Sequence, residues 1–275
     1  MLAGLGLAGC HTAGRGDVRE NHKDNLLYVF IPSGTFEMGC SKLDEDCKPD
    51  EKPAHTVTIS KGFWIGQTEV TVEAYRRFAT TTHRPMPPEP EFGSRSLNPG
   101  WSDPRQPIVN VDWDDARSYC EWIGGHLPTE AQWEYAARGG ATTSRYGDLP
   151  AIAWFGDNAG KQRIDAAKLF QEDGPGYLGH LSMNGNTPHR VGLLTPNPYG
   201  LYDVLGNEWE WTSDWYGASY YQGSQRFDPT GQPSGDARVL RGGSWVDLPA
   251  GIRVSVRGHR PPSARSVDTG FRCEQ

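Results

Sequence analysis

Glycine and proline punctuate this chain so closely, at 34 and 21 of its 275 residues, that long uninterrupted helices and strands have little room to form. The apolar character that remains sits largely in big rings: 10 Trp, 11 Tyr and 9 Phe, against a mean hydropathy of only -0.64. That combination predicts a loop-rich fold of short elements held by aromatic packing. Disordered chains are poor in aromatics, so disorder is not expected. The length suits one large domain or two small ones. No internal repeat, low-complexity tract or other sign of a second domain is present.

A net charge of -7 argues against a nucleic-acid surface, which needs a basic stripe. The local acidic clusters, Asp44-Glu45-Asp46 and Asp50-Glu51, suit a solvated loop. Residues 1–9 are small and apolar, and Leu7-Ala8-Gly9-Cys10 resembles a bacterial lipobox, whose cysteine becomes the lipidated first residue of the mature protein. The basic residues that usually precede such a segment are absent. The segment is also too short to span a bilayer as a helix. The expectation is export to the bacterial periplasm or cell envelope, with a lipid anchor at Cys10. Polar residues 11–25 would form a flexible tether, and residues 26–275 the folded domain.

With Cys10 as anchor, four cysteines remain, and export makes disulfides chemically reasonable. The simplest pairing is Cys40 with Cys47 and Cys120 with Cys273. The second bond would close most of the domain into one loop and contribute roughly 5 kcal/mol in the chain-entropy account. The alternative leaves Cys120 as a buried free thiol. No CxxC or HxxxH spacing occurs, so zinc is not expected.

Along the chain, the apolar run 26–31 reads as a strand entering the Pro32-Ser33-Gly34 turn, with residues 35–39 as its hairpin partner. Residues 55–59 and 62–65 are further strand candidates. Thr71 can cap a helix whose Tyr75 and Phe78 face inward. Asp112 can cap a second helix, with Ala116, Tyr119, Cys120 and Ile123 at helical spacing and Gly124-Gly125 ending it. Thr129 and Gln132 form a capping box for a third, with Trp133 and Ala136 on one face. Residues 84–105 read as a surface excursion and 139–200 as irregular structure, of a length usually functional or pinned by ligands.

Several segments, taken together and in order, resemble the formylglycine-generating-enzyme (sulfatase-modifying factor) family. They are Ile31-Pro32-Ser33-Gly34-Thr35-Phe36-Glu37-Met38-Gly39, Glu69-Val70-Thr71 and Pro107-Ile108-Val109-Asn110-Val111. Leu127-Pro128-Thr129-Glu130-Ala131-Gln132-Trp133-Glu134-Tyr135-Ala136 and Asn197-Pro198-Tyr199-Gly200-Leu201-Tyr202-Asp203 follow. Gly206-Asn207-Glu208-Trp209-Glu210-Trp211, Arg241-Gly242-Gly243-Ser244-Trp245 and Gly270-Phe271-Arg272 complete the set. Each motif alone is weak, but the ordered set covers nearly the whole chain past residue 26. The resemblance implies an α+β, C-type-lectin-like fold with little regular secondary structure. It also implies the Cys120–Cys273 bond, since family members often join these two positions.

The chemistry that the resemblance implies is absent from the residues. Oxidases of this family place two cysteines three and eight residues after the serine of Gly-Gly-Ser, where paired thiolates hold Cu(I). Here those positions are Asp247 and Ile252. A hard carboxylate and a hydrocarbon cannot replace two thiolates, so neither copper nor formylglycine generation is expected. The family's calcium loop is matched by the carboxylates of Asp203 and Glu210 and the carbonyls of Gly206 and Glu208, so a structural Ca²⁺ is expected. The alternative is hydrogen bonds or ion pairs without metal.

The altered pocket should be surrounded by Trp209, Ser244, Trp245 and Asp247, with Arg257, His259 and Arg260 near in sequence. An Asp beside Arg and His can serve as an acid–base set or as a buried ion-pair network fixing a loop. In the C-terminal arginine series, 241, 253, 257, 260, 265 and 272, some members suit bidentate pairing with Asp or Glu, and the alternative for the others is to hold an anionic ligand. The expected role is a non-catalytic binding or scaffold domain in the envelope, with an envelope protein or small ligand as partner. The alternative is an exported oxidoreductase or tailoring enzyme using Asp/Arg/His or a bound metal, and fold alone does not decide between them.

Overall fold

The computed structural model describes residues 13–275. Cys10 and the lipobox lie outside the described residues. The strands in the first third are β1 (Val18–Glu20), β2 (Leu27–Ile31), β3 (Gly34–Met38), β4 (His55–Ile59) and β5 (Phe63–Gly66), followed by helix α1 (Val72–Thr82). The middle third holds the small hairpin β6 (Glu91–Phe92) and β7 (Arg95–Ser96). Then come α2 (Trp113–Ile123), α3 (Glu130–Arg138), α4 (Leu149–Ile152), α5 (Ala166–Glu172) and α6 (Tyr177–Asn184). The last third holds β8 (Trp209–Trp215), β9 (Arg238–Arg241), β10 (Gly258–Arg260) and β11 (Thr269–Gly270). The described helices do not exceed 11 residues, as the glycine and proline spacing predicts. None is long and apolar enough to cross a membrane.

The predicted caps are where the sequence puts them. Thr71 accepts from Ala74 N, Asp112 from Asp115 N, and Thr129 exchanges a capping box with Gln132. Gly124 ends α2 in the left-handed conformation. Cys40 is bonded to Cys47 and Cys120 to Cys273, with Cα–Cα separations of 5.8 and 5.4 Å.

Two expectations need correction. Residues 35–39 do not form a hairpin with residues 26–31. β2 is paired antiparallel with both β1 and β5, so its two edges are taken, and β3 pairs instead with β4. The tether also ends sooner than residue 25. β1 adds a strand to β2, and the buried Asp24 accepts hydrogen bonds from Tyr28 Oη at 2.9 Å and Tyr119 Oη at 3.0 Å. The polar residues that suggested a tether are a sheet edge and a hydrogen-bonded acid.

The core has two main halves. One gathers β2–β5, α3, Ile252 and Val254. The other gathers α1, α2, Trp211, Phe271 and Cys273. In the second, Tyr119 meets Tyr75, Phe78, Trp122 and Phe271 at centroid distances of 5.9, 5.4, 5.7 and 5.3 Å. Such contacts contribute roughly 0.5–1.5 kcal/mol each beyond area burial.

Buried guanidiniums join segments far apart in the chain. Arg253 lies bidentate on Glu51 at 2.8 Å on each arm. Arg257 grips Glu130 at 2.7 and 2.9 Å. Arg241 pairs with Glu134, and Arg272 with Glu210. A chain of low mean hydropathy thus crosslinks distant segments through planar charge pairs.

Candidate functional site

β9 delivers Arg241 into Gly242 and Gly243, whose φ angles of 100° and 78° suit glycine. A Cβ on Gly243 would lie 2.6 Å from Ile252 Cδ1, so this turn is packed directly against the position where a second thiolate is absent. Ile252 itself is fully buried in the core. Ser244 follows the turn. Its N–H and its Oγ–H both donate to Asp247 Oδ2, each at 2.8 Å. Burial pushes the Asp247 carboxyl up to about 6, against the Ser244 hydrogen bonds, which favour the charged form. The charge of Asp268 raises it, and the Trp209 side chain opposes the rise.

The seven pocket candidates do not converge as a set. Ser244 and Asp247 touch, and Trp209 reaches them. Trp245 is turned into the core, with Nε1 donating to Val267 O at 3.3 Å and its ring edge-on to Phe92. Arg260 lies bidentate on Asp268 at 2.8 and 3.0 Å. Arg257 belongs to Glu130, and His259 stacks on Tyr216 at 3.9 Å. Arg257 and His259 both lie on the Tyr216 ring, at 5.0 and 3.9 Å, and Arg260 turns to Asp268; none of the three pairs with Asp247, and the acid–base set of Asp247 with Arg257 and His259 is corrected. Adjacent residues on extended backbone point to opposite faces, so closeness in sequence does not bring His259 and Arg260 together.

Beside this pocket lies the candidate calcium loop. Asp203 and Asn207 have φ of 54° and 58°, and Gly206 of 73°, so the backbone turns tightly. A Cβ on Gly206 would meet Trp154 O at 2.3 Å. Asp203 Oδ2 accepts from Gly192 N at 2.7 Å, while Oδ1 is buried without a hydrogen-bond partner. Burial pushes the Asp203 carboxyl up to about 6. The Gly206 carbonyl accepts from Glu208 N at 2.7 Å. Glu210 is engaged: Arg272 donates to both carboxylate oxygens, and Trp133 Nε1 donates to Oε2 at 2.7 Å. Arg272 also donates to Gly66 O and Tyr202 O, at 3.1 and 3.0 Å.

Three features escaped the sequence reading. Trp154 stacks on His189 at 3.8 Å, and Asn207 ties that stack to the Gly-Gly-Ser turn by donating to Trp154 O and accepting at its carbonyl from Trp245 N. Glu69 is fully buried, with Oε2 accepting from Asn207 Nδ2 at 2.7 Å. The Glu208 side chain is fully buried too, and burial holds its carboxyl well above the usual range, with Glu69 the largest of the charges acting the same way. The i, i+2 spacing of Glu208 and Glu210 at the start of a strand was the available signal, since it puts both on one face.

Asp214 yields a stability prediction. It is buried, and its Oδ2 accepts from Glu130 N at 2.9 Å. Burial, and after it the Glu130 charge, raise its carboxyl from 3.8 to about 7. A folded-state value above the unfolded one means that the folded protein binds the proton more tightly, so this group's contribution falls as pH rises from about 4 to 7. Asp214→Asn keeps an acceptor oxygen for Glu130 N and removes the charge. We expect a stability gain at pH 8 that exceeds the gain at pH 4 by up to ~4 kcal/mol. Urea denaturation at the two pH values checks this, and equal effects at both would refute it.

Comparison with known proteins agrees with this geometry. Residues 15–275 match the family described as "Sulfatase-modifying factor enzyme 1-like domain". A formylglycine-generating enzyme of Streptomyces coelicolor is 34% identical over 89% of this chain and 88% of its own length. A Bos taurus protein named "Inactive C-alpha-formylglycine-generating enzyme 2" is 33% identical over 89% and 86%. Among solved structures, PvdO from Pseudomonas aeruginosa superposes with a TM-score of 0.75 at 25% identity, covering 96% of this chain and 99% of that one. The chain belongs to the sulfatase-modifying factor family, and its α+β fold is the formylglycine-generating-enzyme fold.

Proposed function

We propose that this chain is a sulfatase-modifying-factor domain that has left thiol–copper chemistry and serves as a binding or scaffold domain, exported and held at the bacterial envelope through a lipid on Cys10. The observation that carries the proposal is the Ser244–Asp247 turn. Where the family pattern asks for two thiolates, one position is a carboxylate spent on the backbone and hydroxyl of Ser244, and the other is a core isoleucine. The four described cysteines are all in disulfides. These donors do not suit Cu(I), which prefers soft thiolates. The relative named as inactive supports the idea that the fold persists without the activity.

The test combines the full chain, copper and a cysteine-containing sulfatase peptide. The expected result is no formylglycine by mass spectrometry and no stoichiometric copper, and either one would overturn the non-oxidase reading. The anchor is tested separately, with Cys10→Ala expected to move the protein out of the membrane fraction. Unchanged fractionation would remove the lipid anchor from the proposal.

A second reading has its own observation. The Asp247 carboxyl, pushed up to about 6, lies in the range useful for proton transfer near neutral pH, which suits an exported tailoring enzyme or oxidoreductase with a non-cysteine pocket. Loss of biological function in Asp247→Asn with an unchanged fold favours that reading, and retained function favours the scaffold. We also propose a structural Ca²⁺ in the loop of Asp203, Gly206, Glu208 and Glu210. Its support is Asp203 Oδ1, a hard donor buried without a partner. The ion would neutralise Asp203, whereas Glu210 already carries the charge of Arg272.

A further inference from the structure

The calcium pattern of this loop takes Glu208 only by its main-chain carbonyl, which leaves its side chain unexplained. Glu208 is 0% exposed, and neither carboxylate oxygen has a hydrogen-bond partner. Glu69 is 0% exposed as well. Its Oε2 accepts from Asn207 Nδ2 at 2.7 Å, and its Oε1 has no partner. Glu210, on the same face as Glu208, is already satisfied by Arg272 and Trp133. Of the four buried carboxyl groups here, Glu69, Asp203 and Glu210 share the charge of Arg272, while Glu208 feels the charge of Arg260 without a hydrogen bond from it. Arg260 is itself held bidentate by Asp268, whose charge acts on Glu208 in the opposite sense. An isolated buried carboxylate costs several kcal/mol unless a partner compensates it. Three oxygens, two on Glu208 and one on Glu69, lack that compensation.

One cluster of three possible ligands among the described residues behaves differently. Asp44, Cys47 and Glu51 come within 4.8 Å of one another. There Arg253 donates to Asp44 at 2.9 Å and to Glu51 at 2.8 Å, and Cys47 is disulfide-bonded, so a cation already stands in that cluster. No guanidinium or ammonium donates to Glu69 or Glu208.

We propose that the side-chain carboxylates of Glu69 and Glu208 bind a hard divalent cation, at a position separate from the ion proposed for the Asp203 loop. Carboxylate oxygens without sulfur or imidazole select Ca²⁺, Mg²⁺ or Mn²⁺ over soft metals. The site stands on its own donors and does not depend on the Asp203 loop being occupied. If the two glutamates are instead neutral acids, a glutamine, which is nearly the same shape, replaces either of them silently.

That contrast sets the experiment. Full-length protein is titrated with Ca²⁺ by equilibrium dialysis, and with Tb³⁺ by luminescence sensitised through tryptophan, since Trp209 adjoins Glu208 in the chain. Wild type is expected to take up two equivalents and Glu208→Gln one. Asp203→Asn should keep one equivalent, which is lost when Glu208→Gln is added. Glu208→Gln that binds as many ions as wild type overturns the proposal. If Asp203→Asn is silent while Glu208→Gln removes the bound ion, the calcium-loop reading fails and this one stands. Near-UV circular dichroism reports on folding. If Glu208→Gln does not fold, Glu69→Gln gives the same two outcomes.

Discussion

Replacing Arg272 with methionine is expected to cost ~3–5 kcal/mol, the penalty for removing one partner of a buried ion pair. Arg272 is fully buried, lies on both oxygens of Glu210 and also holds the carbonyls of Gly66 and Tyr202. Methionine fills much of the volume but leaves Glu210 uncompensated beside Glu69 and Asp203. It also removes the donor from the carbonyls of Gly66, which is buried, and Tyr202, which is half-buried. Arg265→Met is the control. Arg265 pairs with Asp112 and Asp115, but about a third of its side chain is exposed, and a pair like that contributes at most ~1 kcal/mol. Urea unfolding of both variants decides the matter. Equal losses would mean that the buried pair is worth no more than a surface one, and the account of the fold as arginine-crosslinked would fail.

Removing the Cys120–Cys273 bond is expected to have a comparable or larger effect. The bond spans 153 residues, so in the chain-entropy account it contributes about 5 kcal/mol by restricting the unfolded chain. The Cys40–Cys47 bond spans 7, for which the same relation gives about 2.5 kcal/mol. The double replacement Cys120→Ala/Cys273→Ala should lower Tm by roughly 10–20 °C, and the Cys40→Ala/Cys47→Ala pair by about half that. Both cysteines of the long bond are buried, so the alanines add a small cavity cost in the same direction. A long-bond variant that melts with wild type would show that the unfolded chain gains little from its release.

The caps and the aromatic faces of α1, α2 and α3 were legible in the sequence because they depend on neighbours three or four positions away. The family motifs pointed to the correct fold, and the arginine series to bidentate pairing. Strand pairing was not legible. β2 looked ready for a hairpin with the next segment, yet its partners come from residues 18–20 and 63–66, and no local signal announces an edge already occupied. The pocket was misjudged for a related reason. Arg257, His259 and Arg260 are near in sequence, but Arg257 is spent on Glu130, His259 stacks beside it on Tyr216, and Arg260 turns to Asp268. Glu208 was assigned through its carbonyl, because the motif gives no reason to expect a buried acid in a position where only the main chain is used.

The final residues of the chain carry an unusual share of these connections. Arg272 holds the acidic loop, Cys273 closes the long disulfide, Glu274 exchanges backbone hydrogen bonds with His126, and Gln275 does the same with Trp64. A ribosome makes them after every segment they bind. At about 5–20 residues per second, Trp64 in β5 waits on the order of ten seconds or more for the Gln275 backbone that bonds to it. Until then the nascent polypeptide lacks its longest crosslink and the counter-charge of its most acidic region.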